Sequence, residues 1–293
     1  MQPIQPSRIT TTFPCITALF LLTLALLACT TNPTTGRSQF NALTPEQEKQ
    51  LGNKAAPEFL KEFGGPIPSQ HIQNYVTDLG QQLADVTKEP DLEWQFTVAN
   101  SSVVNAFALP GGKVFVTRAL LAELDNEAQL AGILGHEIGH VTARHINDRL
   151  VQSQLISIAA IGVGIAASQS DEDWLRALGI GTSVGGGVAL LAFSRGHELE
   201  SDRLGLRYMT KLGYNPMAQV QVMEIFKRQE KAGSTIEFLS THPVPDTRIK
   251  ELRDYIKKHY PDWQDTSKYR YGQASYQQNV LDVLKTLPPI PPK

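Results

Sequence analysis

The sequence predicts an α+β fold, mainly helical, with a small β-sheet beside one motif-bearing helix. Three observations lead there. Capping residues followed by apolar positions at helical spacing recur along the chain. Two short stretches, 92–98 and 113–117, alternate and are rich in β-branched and aromatic residues. Finally, His136-Glu137-Ile138-Gly139-His140 lies inside a strongly helical pattern.

In chain order, the first feature is the apolar run Ile16 to Ala28, preceded by Arg8 and ending at Cys29. A helix needs roughly 20 apolar residues to cross a bilayer, so residues 1–28 read as an export signal. Leu26-Leu27-Ala28-Cys29 resembles a bacterial lipobox, in which the cysteine is lipidated and begins the mature chain. An ordinary cleaved signal or an uncleaved anchor is the competing reading. The other cysteine, Cys15, would leave with the signal, so no internal disulfide is expected and stability must come from the core. Residues 29–43 then read as a lipidated cysteine and a polar tether, with the turn formers of Thr30 to Arg37 holding the domain clear of a membrane.

The main domain is expected over 44–259. Thr44-Pro45-Glu46-Gln47-Glu48 combines a cap, a proline at the first helical position and acids in the first turn. A second helix is expected from Ser69 to about Val86, followed by the two strands, with Pro110-Gly111-Gly112 turning the chain before the second. Asn126 and Glu127 open the motif helix. Gly132, Gly135 and Gly139 each weaken it by up to about 1 kcal/mol relative to alanine, which points to close approach by another backbone or by a ligand. Net charge is −2 with both signs mixed, so there is no electrostatic footprint for nucleic acid.

A helix advances about 100° per residue, so His136 and His140 share one face and both imidazoles can reach a single ion. Glu137 stands close enough to take a proton from a water that such an ion has made acidic. A catalytic zinc site needs a third protein ligand. Ser194-Arg195-Gly196-His197-Glu198-Leu199-Glu200-Ser201-Asp202 offers one: Glu198 as ligand, with Asp202 one turn on to fix a histidine tautomer. On the same projection Glu200 points away and reads as a solvated charge. His197 reads as a neighbour of the site or a surface group. His145 projects to the far side of the helix and is assigned to packing, and His71 and His259 to structure.

With these motifs in hand, the chain resembles the gluzincin zinc metallopeptidases of the CAAX prenyl endopeptidase and HtpX type. Glu137 in its helix, Ser194-Arg195 with Glu198 and Asp202, Asn105 to Thr117, and Thr241-His242-Pro243 with Arg248 carry the resemblance over roughly residues 33–255. Ser201 stands where the family more often has alanine. The resemblance implies a gluzincin metalloprotease domain binding one Zn2+ through His136, His140 and Glu198, with Glu137 as base. It places His242 and Arg248 at the cleft as further catalytic residues. His242 either donates to the oxyanion or occupies the open zinc position in a resting form, and Arg248 is read as an oxyanion donor; a capping His242 and a salt-bridged Arg248 are the competing readings. Asn105, Ala106, Phe107 and Ala108 are the candidate edge strand for an extended peptide, the competing reading being that Phe107 and Leu109 are core residues. The periplasmic lipoprotein branch is the nearest in pattern. It implies a membrane link through Cys29, a place on the periplasmic face of a bacterial outer membrane, and unfolded or misassembled envelope proteins as substrates. A lipid-anchored chaperone or outer-membrane assembly factor with little turnover is the alternative.

Two segments remain. Residues 155–193 hold two apolar, glycine-rich runs, each short for a bilayer, read as a helical hairpin over the cleft in preference to one touching membrane. The tail, 260–293, is polar and ends in a proline-rich stretch expected to be extended and mobile.

Overall fold

Local capping chemistry sets the helix starts. The computed structural model describes residues 29–41, 43–152, 193–231, 236–244 and 246–290. The expected signal (1–28) and nearly all of the expected hairpin (155–193) lie outside them. In chain order the elements are β1 (Cys29–Thr31), β2 (Ser38–Phe40), α1 (Pro45–Glu62), α2 (Gln70–Asp85), β3 (Gln95–Ala99), β4 (Ala106–Leu109), β5 (Lys113–Thr117), α3 (Arg118–Glu123) and α4 (Glu127–Thr142). After the undescribed stretch come α5 (Arg195–Lys211), α6 (Met217–Lys231), α7 (Glu237–Thr241), α8 (Asp246–His259) and a last helical stretch over 273–286. Thr44 and Gln47 form a reciprocal capping box on α1. Ser69, Asn126 and Ser194 each accept an amide of the first turn of α2, α4 and α5.

The sheet has the order β3-β5-β4, parallel between β3 and β5 and antiparallel between β5 and β4. Gly111 and Gly112, with φ of +72° and +84°, make the β4–β5 turn. Side chains alternate faces along a strand. Thus Ala106, Ala108, Val114 and Val116 join the core under α2 and α4, while Phe107, Leu109 and Phe115 cluster with Phe59 of α1 and with Phe63, which caps it. Both sheet faces are buried, and the rings of Phe59 and Phe107 approach to 4.0 Å between centroids.

Helices α4 and α5 pack most closely. A Cβ added at Gly135 would stand 3.1 Å from the Cα of Gly205, and one at Gly139 would stand 3.0 Å from the Cα of Ser201. Gly132 meets Gln219 of α6. The glycines of the motif helix therefore admit neighbouring backbones, and the metal-motif face reaches across to α5.

Two sequence expectations are corrected by the packing. The stretch 29–43 is no free tether: β1 and β2 pair, Asn32 donates to the carbonyl of Thr142 at 2.9 Å, and Gln39 to that of Ala143 at 2.7 Å. These side chains cap the carbonyl end of α4, whose last acceptors have no helical partner. Nor does the folded unit end at 259. Tyr276 is buried and donates to the carbonyl of Leu121 at 2.7 Å, Glu127 accepts from Tyr75, Tyr214 and Ser275, and Arg118 reaches the carbonyl of Pro288. The helical stretch 273–286 is part of the core. Among the described residues no helix is long and apolar enough to cross a membrane.

Two outcomes follow from this packing. A Cβ at Gly205 would fall 2.9 Å from the His136 amide nitrogen, so Gly205→Ala is expected to destabilise by about 1–3 kcal/mol, measured by denaturant unfolding. The second concerns Glu48, whose carboxyl burial pushes up to about 7 despite Arg144, with Glu89 adding to the rise. Its folded-state value lies above the unfolded one, so its contribution is full below about pH 4.5 and is lost as pH rises through about 7. Glu48→Gln should match wild type in stability near pH 4.5 and exceed it by about 3 kcal/mol near pH 8; parallel pH–stability curves would contradict this.

Candidate metal centre

Because α4 turns about 100° per residue, His136 and His140 present their Nε2 atoms 3.0 Å apart. The close crossing of α5 brings Glu198 up to them: Oε1 lies 3.4 Å from His140 Nε2 and Oε2 lies 3.5 Å from His136 Nε2. His242, just after α7, adds Nδ1 at 3.0 Å from Glu198 Oε1 and 3.3 Å from His136 Nε2. One ligand atom from each of these four residues lies within 4.8 Å of all the others, and all four residues are buried. Three imidazole nitrogens and a carboxylate converging in this way make a donor set suited to a borderline divalent metal ion. Beside them Glu137 Oε1 is buried without a hydrogen-bond partner among the described residues, 3.6 Å from His242 Nε2. That distance is too long for a hydrogen bond. This leaves one buried carboxylate oxygen without a hydrogen bond beside the four donors.

Asp202, one turn beyond Glu198, accepts or shares the Nδ1 proton of His136 at 2.9 Å, leaving Nε2 turned to the cluster. Arg248 donates to both oxygens of Asp202 at 2.8 Å, lies 2.6 Å from Glu198 Oε2, and donates to the Pro243 carbonyl. Gln219 supplies a further donor to Asp202 at 3.0 Å. Arg248 thus stands in the salt-bridged arrangement, the competing reading of this residue. Its fork is engaged with the two carboxylates, because two buried negative charges need a buried cation more than the cleft needs a donor.

Charge states follow from these contacts. Burial acts against ionisation of Glu198, but His242 and Arg248 outweigh it and hold its carboxyl well below the usual range. Asp202 is likewise held low by Arg248 and His136 against its burial. Burial drives His140 well down, to its neutral form. His136 also feels burial, yet Asp202 and Glu198 offset it and raise the imidazole to about 9. Glu137 is pushed up by burial, with His242 and His136 opposing.

His145 and Glu200 depart from the helical projection. The helix α4 ends at Thr142 and Arg144 takes a φ of +57°, which swings the chain so that the helix resuming at 145 starts in a new phase. His145 is fully buried, with Nδ1 3.0 Å from His140 Nδ1 and Nε2 3.0 Å from Glu200 Oε2. Glu200 is thus not a solvated charge; it bridges His145 and Arg37, the latter at 2.9 Å. His197 stacks on His145 with centroids 4.3 Å apart, and Ser201 Oγ lies 3.2 Å from His145 Nδ1. The signal that could have exposed His145 was the occurrence of three histidines within ten residues, since Ala143 and Arg144 favour helix and give no warning of the break.

Strand β4 is the last in the pairing order, as an edge should be, but it is not an exposed edge: Asn105, Ala106, Phe107 and Ala108 are all buried. A cavity of about 20 Å³ lies between Phe59, Asn105, Phe107, Phe193, Thr241 and His242. Phe193 packs against His140, tilted by 31°, at 3.9 Å between centroids. Asn105 Oδ1 is buried there without a hydrogen-bond partner among the described residues. Phe107 and Leu109 are core residues, and β4 stands last in the pairing order of the sheet.

Comparison with known proteins agrees with this geometry. Residues 70–256 match peptidase family M48. The β-barrel assembly-enhancing protease of Escherichia coli is 30% identical over 239 residues, covering 79% of this chain and 48% of that protein. The mitochondrial metalloendopeptidase OMA1 of Schizosaccharomyces pombe is 31% identical over 231 residues, covering 76% of this chain and 65% of the relative. OMA1 of Saccharomyces cerevisiae is 27% identical over 244 residues, 77% of this chain and 68% of the relative. The chain spans about half the length of the β-barrel assembly-enhancing proteases it matches.

Since Arg248 neutralises two buried carboxylates, Arg248→Ala should cost about 3–5 kcal/mol in the metal-free protein, measured by denaturant unfolding. Arg248→Lys should recover little, because an ammonium cannot reproduce the two parallel bonds to Asp202.

Proposed function

The chain belongs to peptidase family M48, and from that membership we propose that it is a zinc-dependent endopeptidase holding one Zn2+ per chain through His136, His140 and Glu198. The observation that carries this reading is the buried cluster of four convergent donors with the free carboxylate oxygen of Glu137 beside it. A zinc ion held there would supply Lewis acidity, polarising a scissile carbonyl and making a water acidic near neutral pH. Glu137 Oε1 would accept a proton from the attacking water and pass it to the leaving amine. Asp202 fixes the His136 tautomer, and Arg248 keeps Glu198 and Asp202 ionised. Asn105 Oδ1 is an acceptor for a peptide N–H, and the backbone edge of β4 is the surface along which an extended chain would pair.

His242 is proposed to plug the site at rest. Its Nδ1 lies among the ligand atoms, and Phe193 and β4 leave only a cavity of about 20 Å³. Peptide access then requires the segment 241–244 to withdraw. The substrates proposed are unfolded or misassembled proteins of a bacterial cell envelope, with the chain lipidated at Cys29 and tethered to the periplasmic face of the outer membrane. The apolar run before Cys29 and the name of the Escherichia coli relative support that setting, although the OMA1 relatives are mitochondrial. A client-holding chaperone with little turnover is the second reading; the free Oε1 of Glu137 disfavours it, because holding needs no base.

Digestion of an unfolded protein by wild type, chelator-treated protein and Glu137→Gln tests the proposal. Chelation should abolish cleavage, and Glu137→Gln should lower it by about 10²–10⁴-fold with zinc still bound. Equal cleavage in all three sinks the peptidase reading. His242→Ala should raise the rate on the same substrate, and a fall would instead assign His242 to the transition state.

A further inference from the structure

Beyond the four donors, the contacts around His140 form a chain that leads out of the site to the amino-terminal hairpin. With Nε2 of His140 turned to the cluster, its Nδ1–H donates to Nδ1 of His145 at 3.0 Å, and the Nε2–H of His145 donates to Glu200 Oε2 at 3.0 Å. Glu200 in turn forms an ion pair with Arg37 at 2.9 Å, and Arg37 sits in the turn between β1 and β2. His145 has no freedom to leave this line: it is fully buried, stacked on His197, and touched at Nδ1 by Ser201. The hairpin is itself fastened to α4 through Asn32 and Gln39 on the carbonyls of Thr142 and Ala143, so Arg37 is delivered to Glu200 from a fixed base. A ligand histidine commonly gives its second N–H to a carboxylate, which fixes its ring and tautomer. Here His136 follows that pattern through Asp202, whereas His140 reaches its carboxylate only through an intervening imidazole.

We propose that His145, Glu200 and Arg37 are positioning residues for His140, and that the β1–β2 hairpin is thereby part of the support of the metal centre. This rests on the reading of the cluster as a metal site. Arg37 and Glu200 are partly exposed, at 43% and 27% of their side chains, so altering them opens no core cavity. The hairpin thus gives the chain a way to couple what happens near Cys29 to the grip on the ion, without touching the cleft.

The test measures zinc affinity by competition with a chromophoric chelator, and the visible absorption of the Co2+-substituted protein, for wild type, Glu200→Ala, Glu200→Gln and Arg37→Ala. Glu200→Ala is expected to weaken zinc binding about 10–100-fold and shift the Co2+ bands. Glu200→Gln, which keeps an acceptor for His145, should recover most of the loss. Arg37→Ala should move both readouts in the same direction by less. Melting of the metal-free proteins separates positioning from general damage, and the expected differences there are small. The proposal is overturned if Glu200→Ala leaves affinity and Co2+ bands at wild-type values, or if Gln gives no recovery, or if affinity falls only in proportion to metal-free stability. A wild-type protein that binds no zinc defeats instead the metal reading beneath it, so the two failures are distinguishable.

Discussion

Everything at this site depends on how closely two helices touch. Gly135 faces Gly205 and Gly139 faces the backbone of Ser201, so α4 and α5 meet with almost no side-chain layer between them. Helix axes usually stand 8–10 Å apart according to the side chains at the contact, and glycine sets the lower end of that range. Only at that separation does Glu198 on α5 come within 3.5 Å of both histidines on α4. The helix-weakening glycines are the means by which a carboxylate from a distant stretch of chain joins two imidazoles.

A second constraint is electrostatic. Bringing Glu137, Glu198 and Asp202 into one buried volume is costly unless cations accompany them, and Arg248 from α8 answers two of the three. The third, Glu137, has His242 Nε2 at 3.6 Å in place of the arginine, and burial outweighs that contact and raises its affinity for a proton. One carboxylate is thus tuned to receive a proton while the other two are kept ionised. Unlike environments make that division of labour from chemically similar side chains.

Much of this was legible in the sequence, and the failures share a cause. Helix starts at Thr44, Ser69 and Asn126 were readable because a cap acts within four residues of itself, and the Glu198–Asp202 pairing because one helix carries both. His145 was misplaced because the projection ran straight through Arg144, where a positive φ ends the helical phase. Glu200 was read as solvated because its partners, Arg37 and His145, lie more than fifty residues away in sequence. Residues 29–43 and 260–290 looked like tether and tail on composition, yet Asn32, Gln39 and Tyr276 find their partners only in the folded structure. Arg248 was readable as a residue of this site, but its carboxylate partners were not, since a sequence shows charge but not which buried charge it must balance.

The central claim is that the buried donors of α4 and α5 form one metal site that the fold is built to complete. Titrating zinc into metal-free protein while following its melting temperature tests this most directly, because an ion that binds only the folded state must stabilise it. The melting temperature of the wild type should rise and stop rising at one equivalent per chain, and Glu198→Gln should lack that step. A wild-type melting temperature indifferent to zinc would contradict it.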